Sequence, residues 1–327
     1  MITNNTFEEI LQAVNTATTV AVVCHYNPDG DAIGSGLSLY RALNNIGKKA
    51  YMFCDDAIKG NITTFTGVEN INAESLEKYD MAIAVDCAEL KRTGKYASLF
   101  LQKDLPTVAI DHHATHVPFA KYVYVDPTAA ATCEILYELI VKMGGMDQIV
   151  AQNLFLGIVT DSGCFSFSNT TTRTFNVAAE LRKYDFNASE KIYNVFKKVE
   201  FPVFKMRNEV LAAASFSQND KVAIATIPQE ILNKYGLDKS SSEGLVNMLL
   251  DVDRVCIAVV MLQMAGNTFK VSIRSKAPAQ AVKIAECFGG GGHVLAAGCQ
   301  INGNIFAVKE KLERYCSIEL ERAGIIK

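Results

Sequence analysis

The sequence predicts an α/β protein: a parallel-sheet N-terminal domain with helices on both faces, then a smaller α/β domain with a mixed sheet. Three observations carry this. The 327 residues exceed what one hydrophobic core usually spans, which favours two domains. Short β-rich runs alternate with amphipathic stretches through the first half, the pattern of parallel strands joined by helices. From residue 204 onward strand-like runs follow one another more closely, as in a mixed sheet.

Taken in order, residues 18–24 read as a strand, and 31–46 as a helix with Leu37, Tyr40 and Leu43 at helical spacing. Residues 49–53 are a second strand, 74–79 a short helix, 81–86 a third strand and 107–111 a fourth. Residues 128–143 read as a helix with Ile135, Leu136, Leu139 and Ile140 on its apolar face, and 152–160 as a further apolar helix. Residues 186–203, rich in Lys, Asn and Glu and carrying Pro202, read as a helical linker between a domain of residues 1–185 and one of residues 204–327. Beyond it, 206–216, 221–227, 255–263 and 268–274 read as strands. Residues 240–250 and 279–288 read as helices, the latter with Pro278 at its start, where a missing N–H costs least.

Composition narrows the function. Apolar residues make up 49% and charged residues 20%, with a net charge of −3, so no global basic character recruits long duplex nucleic acid. The nine cysteines include no CxxC pair and sit mostly in apolar runs, as expected for free thiols in a reducing cytoplasm. Residues 1–10 lack a basic segment ahead of an apolar core, against a signal peptide. The apolar stretch 255–265 is too short to cross a bilayer and contains Gln263, so no membrane association is expected.

Parallel sheets bind ligands at the carboxyl ends of their strands, and polar signatures fall there. His25-Tyr26-Asn27-Pro28-Asp29-Gly30-Asp31 follows the first strand, where Pro28 and Gly30 turn the chain so that side chains converge. By itself this segment reads equally as a turn with Asp31 capping the next helix. Asp86 ends the third strand, and Asp111-His112-His113 ends the fourth. Adjacent ionisable groups after a buried strand are costly unless their charge is compensated. Thr160-Asp161-Ser162-Gly163 ends an apolar helix. Together these supply Asp29, Asp31, Asp86 and Asp161 as oxygen ligands and His25 and His112 as nitrogen ligands. Four carboxylates balance two divalent cations, and mixed His/Asp ligation suits Mn²⁺. Two ions about 3.5–4 Å apart activate a water and stabilise both oxygens of an in-line displacement. A second constellation, Gly289-Gly290-Gly291-Gly292-His293 followed by Ala296-Ala297-Gly298, permits close approach of backbone N–H groups to an anion. The segment from His293 onward reads as a helix whose N-terminal dipole would assist. Arg274-Ser275 closes a strand, and an Arg fork suits a phosphate or a base.

As a set, these motifs resemble the DHH phosphoesterase superfamily, in particular its bacterial oligoribonuclease/pAp-phosphatase branch. The resemblance runs in order from His25 to the glycine run at 289–292. It implies that His25, Asp29 and Asp86 hold one ion, and that Asp31, Asp86, His112 and Asp161 hold the other, with Asp86 bridging. It implies that Asp111 orients a ligand histidine and that His113 faces the scissile phosphate as a donor. It further implies that Arg274, Ser275, Gly290, Gly291, Gly292 and His293 bind substrate in a DHH-associated C-terminal domain.

The expected activity is hydrolysis of short oligoribonucleotides, linear dinucleotides such as pApA, or the 3′-phosphate of pAp. Partners are then short single-stranded RNA or small nucleotides, and a homodimer is compatible with this reading. An exopolyphosphatase or pyrophosphatase-like hydrolase shares this kind of metal site. A non-catalytic nucleotide-binding module is the alternative from another class. His116 matches no motif position and is expected at the surface. Arg173 and Glu243 have no assigned role.

Overall fold

The computed structural model describes residues 4–76 and 78–326 and divides into two compact units, Met1–Lys198 and Val199–Lys327. In the first unit, α1 (Phe7–Thr16) precedes β1 (Thr19–Val23), α2 (Gly30–Asn45) and β2 (Lys49–Phe53). β3 (Met81–Val85), α3 (Ala97–Phe100), β4 (Thr107–Asp111) and β5 (Tyr122–Val125) follow, then α4 (Thr132–Met143), α5 (Gln148–Asp161), α6 (Thr172–Leu181) and α7 (Ala188–Ile192). The five strands form one parallel sheet in the order β2-β1-β3-β4-β5. Side chains alternate between its faces. Val20, Val22, Ile83, Val108 and Ile110 pack with α1, α2, α4 and α5. Ala21, Val23, Ala82 and Ala84 pack with Phe53 and Phe100 beneath α3 and the 3₁₀ turn Leu90–Tyr96. The N-terminal segment covers the β5 edge: the backbone N–H of Asn5 donates to the Val123 carbonyl (2.8 Å) and the Asn4 amide to that of Val125 (2.8 Å).

Glycine sets how closely the helices approach. α2 and α5 cross where Gly34 faces the Asn153 carbonyl and Gly157; a Cβ on Gly34 would stand 2.7 Å from that oxygen. This contact brings the start of α2, with Asp31, to the end of α5, with Asp161.

The second unit contains α8 (Phe201–Ala212), β6 (Ser215–Ser217), β7 (Val222–Ile227), α9 (Gln229–Tyr235), α10 (Leu245–Leu250), β8 (Ile257–Gln263) and β9 (Thr268–Ser275). α11 (Ala281–Glu286), β10 (Gly291–His293), β11 (Ala296–Asn302) and α12 (Ile305–Arg322) complete it. Its sheet, β10-β11-β9-β8-β7-β6, is mixed, with only β7 and β8 parallel. Among the described residues no helix is long and apolar enough to cross a membrane.

Four expectations differ from the structure. Residues 206–212 are helical: α8 begins at Phe201 with Pro202 in its first turn, and Met206 and Val210, four apart, are its buried face; of the expected strand only Ser215 and Phe216 are extended, within β6. The chain after His293 forms a hairpin, not a helix, because Gly292 lies so close to β11 that a Cβ would meet the Ala296 carbonyl at 2.5 Å. In the helix expected over 74–79, residue 77 lies outside the described residues and the others are not helical; the Tyr79 hydroxyl accepts the Leu76 N–H (2.7 Å). The helix over 240–250 is broken at Gly244, whose φ of 80° is left-handed, into the 3₁₀ turn Lys239–Ser242 and α10. The strand β5 was not expected.

Candidate active site

β1 lies between β2 and β3, so the crevice at its carboxyl end is a topological switch point. His25 and Asp29 emerge there. Asp29 caps α2, its Oδ1 accepting the N–H of Asp31 (3.1 Å) and Ala32 (3.0 Å); the cap is therefore Asp29 and not Asp31. Asp29 Oδ2 stays 3.8 Å from His25 Nε2. Asp31 is buried at the first turn of α2, where Oδ2 accepts the Thr132 N–H (2.6 Å) and Oδ1 the Cys133 N–H (3.0 Å). The N-terminus of α4 thus faces this carboxylate.

Asp86 follows β3 in a left-handed conformation, φ 58°, unusual for a residue with a Cβ and typical of functional sites. Its Oδ2 stands 3.5 Å from His25 Nε2, and its Oδ1 stands 3.7 Å from His112 Nε2 and accepts the Thr132 hydroxyl (3.0 Å). Asp161 Oδ2 lies 3.4 Å from His112 Nε2. The groups His25/Asp29/Asp86, Asp31/His112/Asp161 and Asp86/His112/His113 each present ligand atoms within 4.8 Å of one another.

Hydrogen bonds orient the imidazoles. His112 Nδ1 faces the Ala129 carbonyl at 3.3 Å and His25 Nδ1 the Tyr26 carbonyl at 2.8 Å. Donation to these carbonyls would leave each Nε2 lone pair to a cation held among the carboxylates, the tautomer a metal ligand needs. Arg92 Nη2 also stands 2.8 Å from His25 Nδ1 and would ask for the opposite tautomer. With a cation bound, the carbonyl contact would set the tautomer, because it alone leaves the Nε2 lone pair for the metal.

The charge pattern is that of a cation site. Burial, then the charges of Asp86 and Asp161, hold the Asp31 carboxyl well above the usual range. Asp161 is pushed up to about 6, by burial first and then by Asp86 and Asp29, against the pull of His112. Asp86 moves down: burial opposes this, but the hydrogen bond and charge of His25 and the charges of His112 and His113 prevail. Carboxylates that resist ionisation among imidazoles are relieved by divalent cations. Oxygen–nitrogen separations of 3.4–3.8 Å fit donors sharing an ion about 2.0–2.2 Å from each. The donor set fits such ions.

Asp111 is buried and acts differently from expectation. Its side-chain partners are the imidazoles of His113 and His116, not those of His25 or His112. Its Oδ1 accepts His113 Nδ1–H (2.7 Å) and the backbone N–H of His112 (2.9 Å), and its Oδ2 accepts His116 Nδ1–H (2.7 Å). Burial works against it, yet these histidines hold its carboxyl well below the usual range, and the Asp111 hydrogen bond raises His113 to about 9. His116, expected at the surface, has a fully buried side chain stacked on Phe119. The only hint in the sequence is its three-residue spacing from His113. Thr132 also escaped notice, since its role depends on where α4 begins. Arg173 ties α6 to Asp126 (2.6 Å), Glu134 (3.3 Å) and Glu138 (3.2 Å), a structural clamp.

Arg274, Ser275, Gly290, Gly291, Gly292 and His293 lie in the second unit. His293, Ala296 and Arg274 form one cross-strand row over β10, β11 and β9. Arg274 and His293 therefore flank a small residue about 10 Å apart on one sheet face. Ser275 is buried: its hydroxyl donates to the Ala279 carbonyl (2.8 Å) and accepts the Ala281 N–H (2.9 Å), fixing the entry to α11. Glu243 accepts Arg207 Nη2 through its backbone carbonyl (2.9 Å).

The sequence matches the DHH family, N-terminal domain, over residues 19–158 and the DHHA1 domain over residues 219–318. The Thermus thermophilus protein named bifunctional oligoribonuclease and PAP phosphatase NrnA is 33% identical over 325 residues, 97% of this chain and 94% of the relative. The Bacillus subtilis protein of that name is 27% identical over 90% of this chain and 92% of its own length. An exopolyphosphatase-related protein from Bacteroides fragilis shares the fold, with a TM-score of 0.86, 23% identity and coverage of 95% of this chain and 96% of its own. One domain match falls in each compact unit and a relative one-third identical spans nearly the whole chain, so this protein belongs to the DHH family and carries a DHHA1 domain.

Proposed function

We propose that this protein is a two-metal phosphoesterase acting on short nucleotides: short oligoribonucleotides, linear dinucleotides such as pApA, or the 3′-phosphate of pAp. The observation that carries this reading is the convergence of His25, Asp29, Asp31, Asp86, His112 and Asp161 at one crevice, with His113 held beside them. The names of the two oligoribonuclease and PAP phosphatase relatives support the substrate class.

His25, Asp29 and Asp86 would hold one ion and Asp31, Asp86, His112 and Asp161 the other, with Mn²⁺ the proposed metal. When bound, such a pair activates a water and neutralises charge on the phosphate. The remaining work falls to the protein. Asp111 fixes the His113 ring through Nδ1, which leaves Nε2 to hand its proton to the leaving oxygen. The amides of Thr132 and Cys133 occupy lone pairs of Asp31 and fix its direction. In the second unit, Arg274 and His293 on one row, with the backbone of Gly290, Gly291 and Gly292, would bind a phosphate or nucleotide.

The test is turnover by the Mn²⁺-loaded protein of pAp, a di- to pentanucleotide series and linear pApA. Turnover of none of them sinks the nucleotide reading. Phosphate release from pyrophosphate but not from pAp favours the pyrophosphatase-like alternative. Tight dinucleotide binding without turnover favours a non-catalytic module.

A further inference from the structure

We propose that Phe167 is a base-stacking platform of this active site, a role that rests on the nucleotide reading above. The argument begins at the end of α5. Directly after Asp161 and Ser162, three consecutive residues adopt left-handed backbone: Gly163 (φ 56°), Cys164 (φ 56°) and Phe165 (φ 64°). Two of them carry a Cβ, for which this conformation costs about 1–2 kcal/mol each.

The surroundings hold the turn in place. Cys164 N–H donates to the Val159 carbonyl (2.7 Å), and Ser166 and Phe167 both donate to that of Ser162 (3.0 Å each). The Phe165 ring stacks on Phe175 (5.3 Å between centroids, 21° between planes) and packs against the core. The Asn169 amide donates to the Asp161 carbonyl (3.1 Å) and to that of Ala130 (3.0 Å), tying the far side of the loop to the ligand residue.

The consequence is where Phe167 ends up. Its ring lies over Gly163, so closely that a Cβ there would stand 2.5 Å from the ring carbons. It is thereby fixed beside the segment that carries Asp161. Yet it is 59% exposed, and among the described residues it has no aromatic or cationic partner. Phe165 is used by the core; Phe167, two residues on, is presented to solvent. Backbone strain retained beside a ligand residue signals function, and an immobilised aromatic face is what single-stranded nucleotides stack upon, whatever the base. A base is joined to its phosphate through one sugar, and Phe167 follows Asp161 by six residues of tightly folded loop. The platform would therefore serve a nucleotide next to the scissile phosphate.

The experiment compares wild type, Phe167→Ala and Phe167→Trp on pApA and on a two-residue ribose-phosphate analogue of equal charge lacking bases. Binding of the monophosphate of 2-aminopurine riboside is read by fluorescence quenching. We expect Phe167→Ala to lower kcat/KM for pApA by about five- to a hundredfold, to leave the abasic analogue unchanged and to lose the quenching. Phe167→Trp should restore both. An unchanged preference for pApA over the abasic analogue in Phe167→Ala overturns the proposal. So does an equal loss on both substrates, which would assign Phe167 to holding the loop or packing another part of the protein. If wild type turns over neither pApA nor pAp, the functional reading fails, and the quenching comparison still decides whether Phe167 stacks a base.

Discussion

Replacing Gly34 by alanine tests how helix packing assembles the site. The added Cβ would stand 2.7 Å from the Asn153 carbonyl and 3.1 Å from both Gly157 Cα and Cys133 Sγ, where ordinary contact begins at 3.4 Å. The nearest obstacle is backbone, so α5 must move by about 0.7 Å (3.4 less 2.7). Overpacking of this kind costs about 1–3 kcal/mol, and the better helix propensity of alanine returns about 0.5–1 kcal/mol. The net loss is then about 1–2 kcal/mol, a fall in Tm of roughly 2–8 °C for a unit of this size. Gly36→Ala is the control on the same helix. Its Cβ clashes with the Met52 terminal methyl and sulfur, while Cys24 Cβ lies at an ordinary 3.9 Å; the flexible Met52 side chain can turn away, so its Tm should stay within about 2 °C of wild type. The assay is thermal unfolding with and without Mn²⁺. Because α2 begins beside Asp31 and α5 ends at Asp161, Gly34→Ala should also diminish the Mn²⁺-induced rise in Tm. A Gly34→Ala protein as stable as wild type, or a Gly36→Ala protein that is the more damaged, refutes the reasoning.

Three further outcomes are expected. Asp161 titrates near 6 in the folded, metal-free chain, above its ordinary 3.8, so stability present below about pH 4 is lost as pH rises through about 6. In chelator, Asp161→Asn should therefore raise stability by about 1–2 kcal/mol near pH 7.5 and by progressively less as the pH is lowered towards 4; a gain that does not shrink on acidification contradicts this. His116→Ala deprives the buried Asp111 of a donor, a loss of about 1–3 kcal/mol. It should lower kcat with little change in KM, and a stability loss at unchanged kcat would make the histidine purely structural. Asp86→Ala should abolish turnover and the Mn²⁺-induced rise in Tm together, and substantial retained activity would refute the bridging assignment.

The sequence made the catalytic half legible where the physics is local. β1, β3 and β4 are continuous apolar runs because parallel strands are buried on both faces, and the polar residues that end them stand out. β5 alternates Tyr and Val at a sheet edge and gave no such contrast. Residues 206–216 carry an apolar, alanine-rich stretch at 210–214 that periodicity assigns poorly, and tertiary packing on Met206 and Val210 made most of the segment a helix. His116 was illegible for another reason. Its burial depends on the turn in which its N–H donates to the His113 carbonyl (3.1 Å), and that turn brings it under Asp111. Likewise the glycines at 290 and 292 are explained by the strand they press against, which could not be known before β10 and β11 were paired.

Strand order supports the proposal that Asp86 in particular serves two ions. His25 follows β1 and His112 follows β4, and β3, which ends just before Asp86, lies between them. Adjacent strands are about 4.8 Å apart, so donors at the ends of β1 and β4 are separated by about twice that, too far to share one ion. A carboxylate after the middle strand reaches both, provided its oxygens point in opposite directions along the sheet edge. The left-handed φ of Asp86 is compatible with that demand: Oδ2 turns to His25 and Oδ1 to His112, with the Thr132 hydroxyl fixing the rotation. A bridging ligand at the end of an outer strand would need a longer side chain. The proposed division of ligands is therefore one that this strand order accommodates, with an aspartate after the middle strand and histidines after its neighbours.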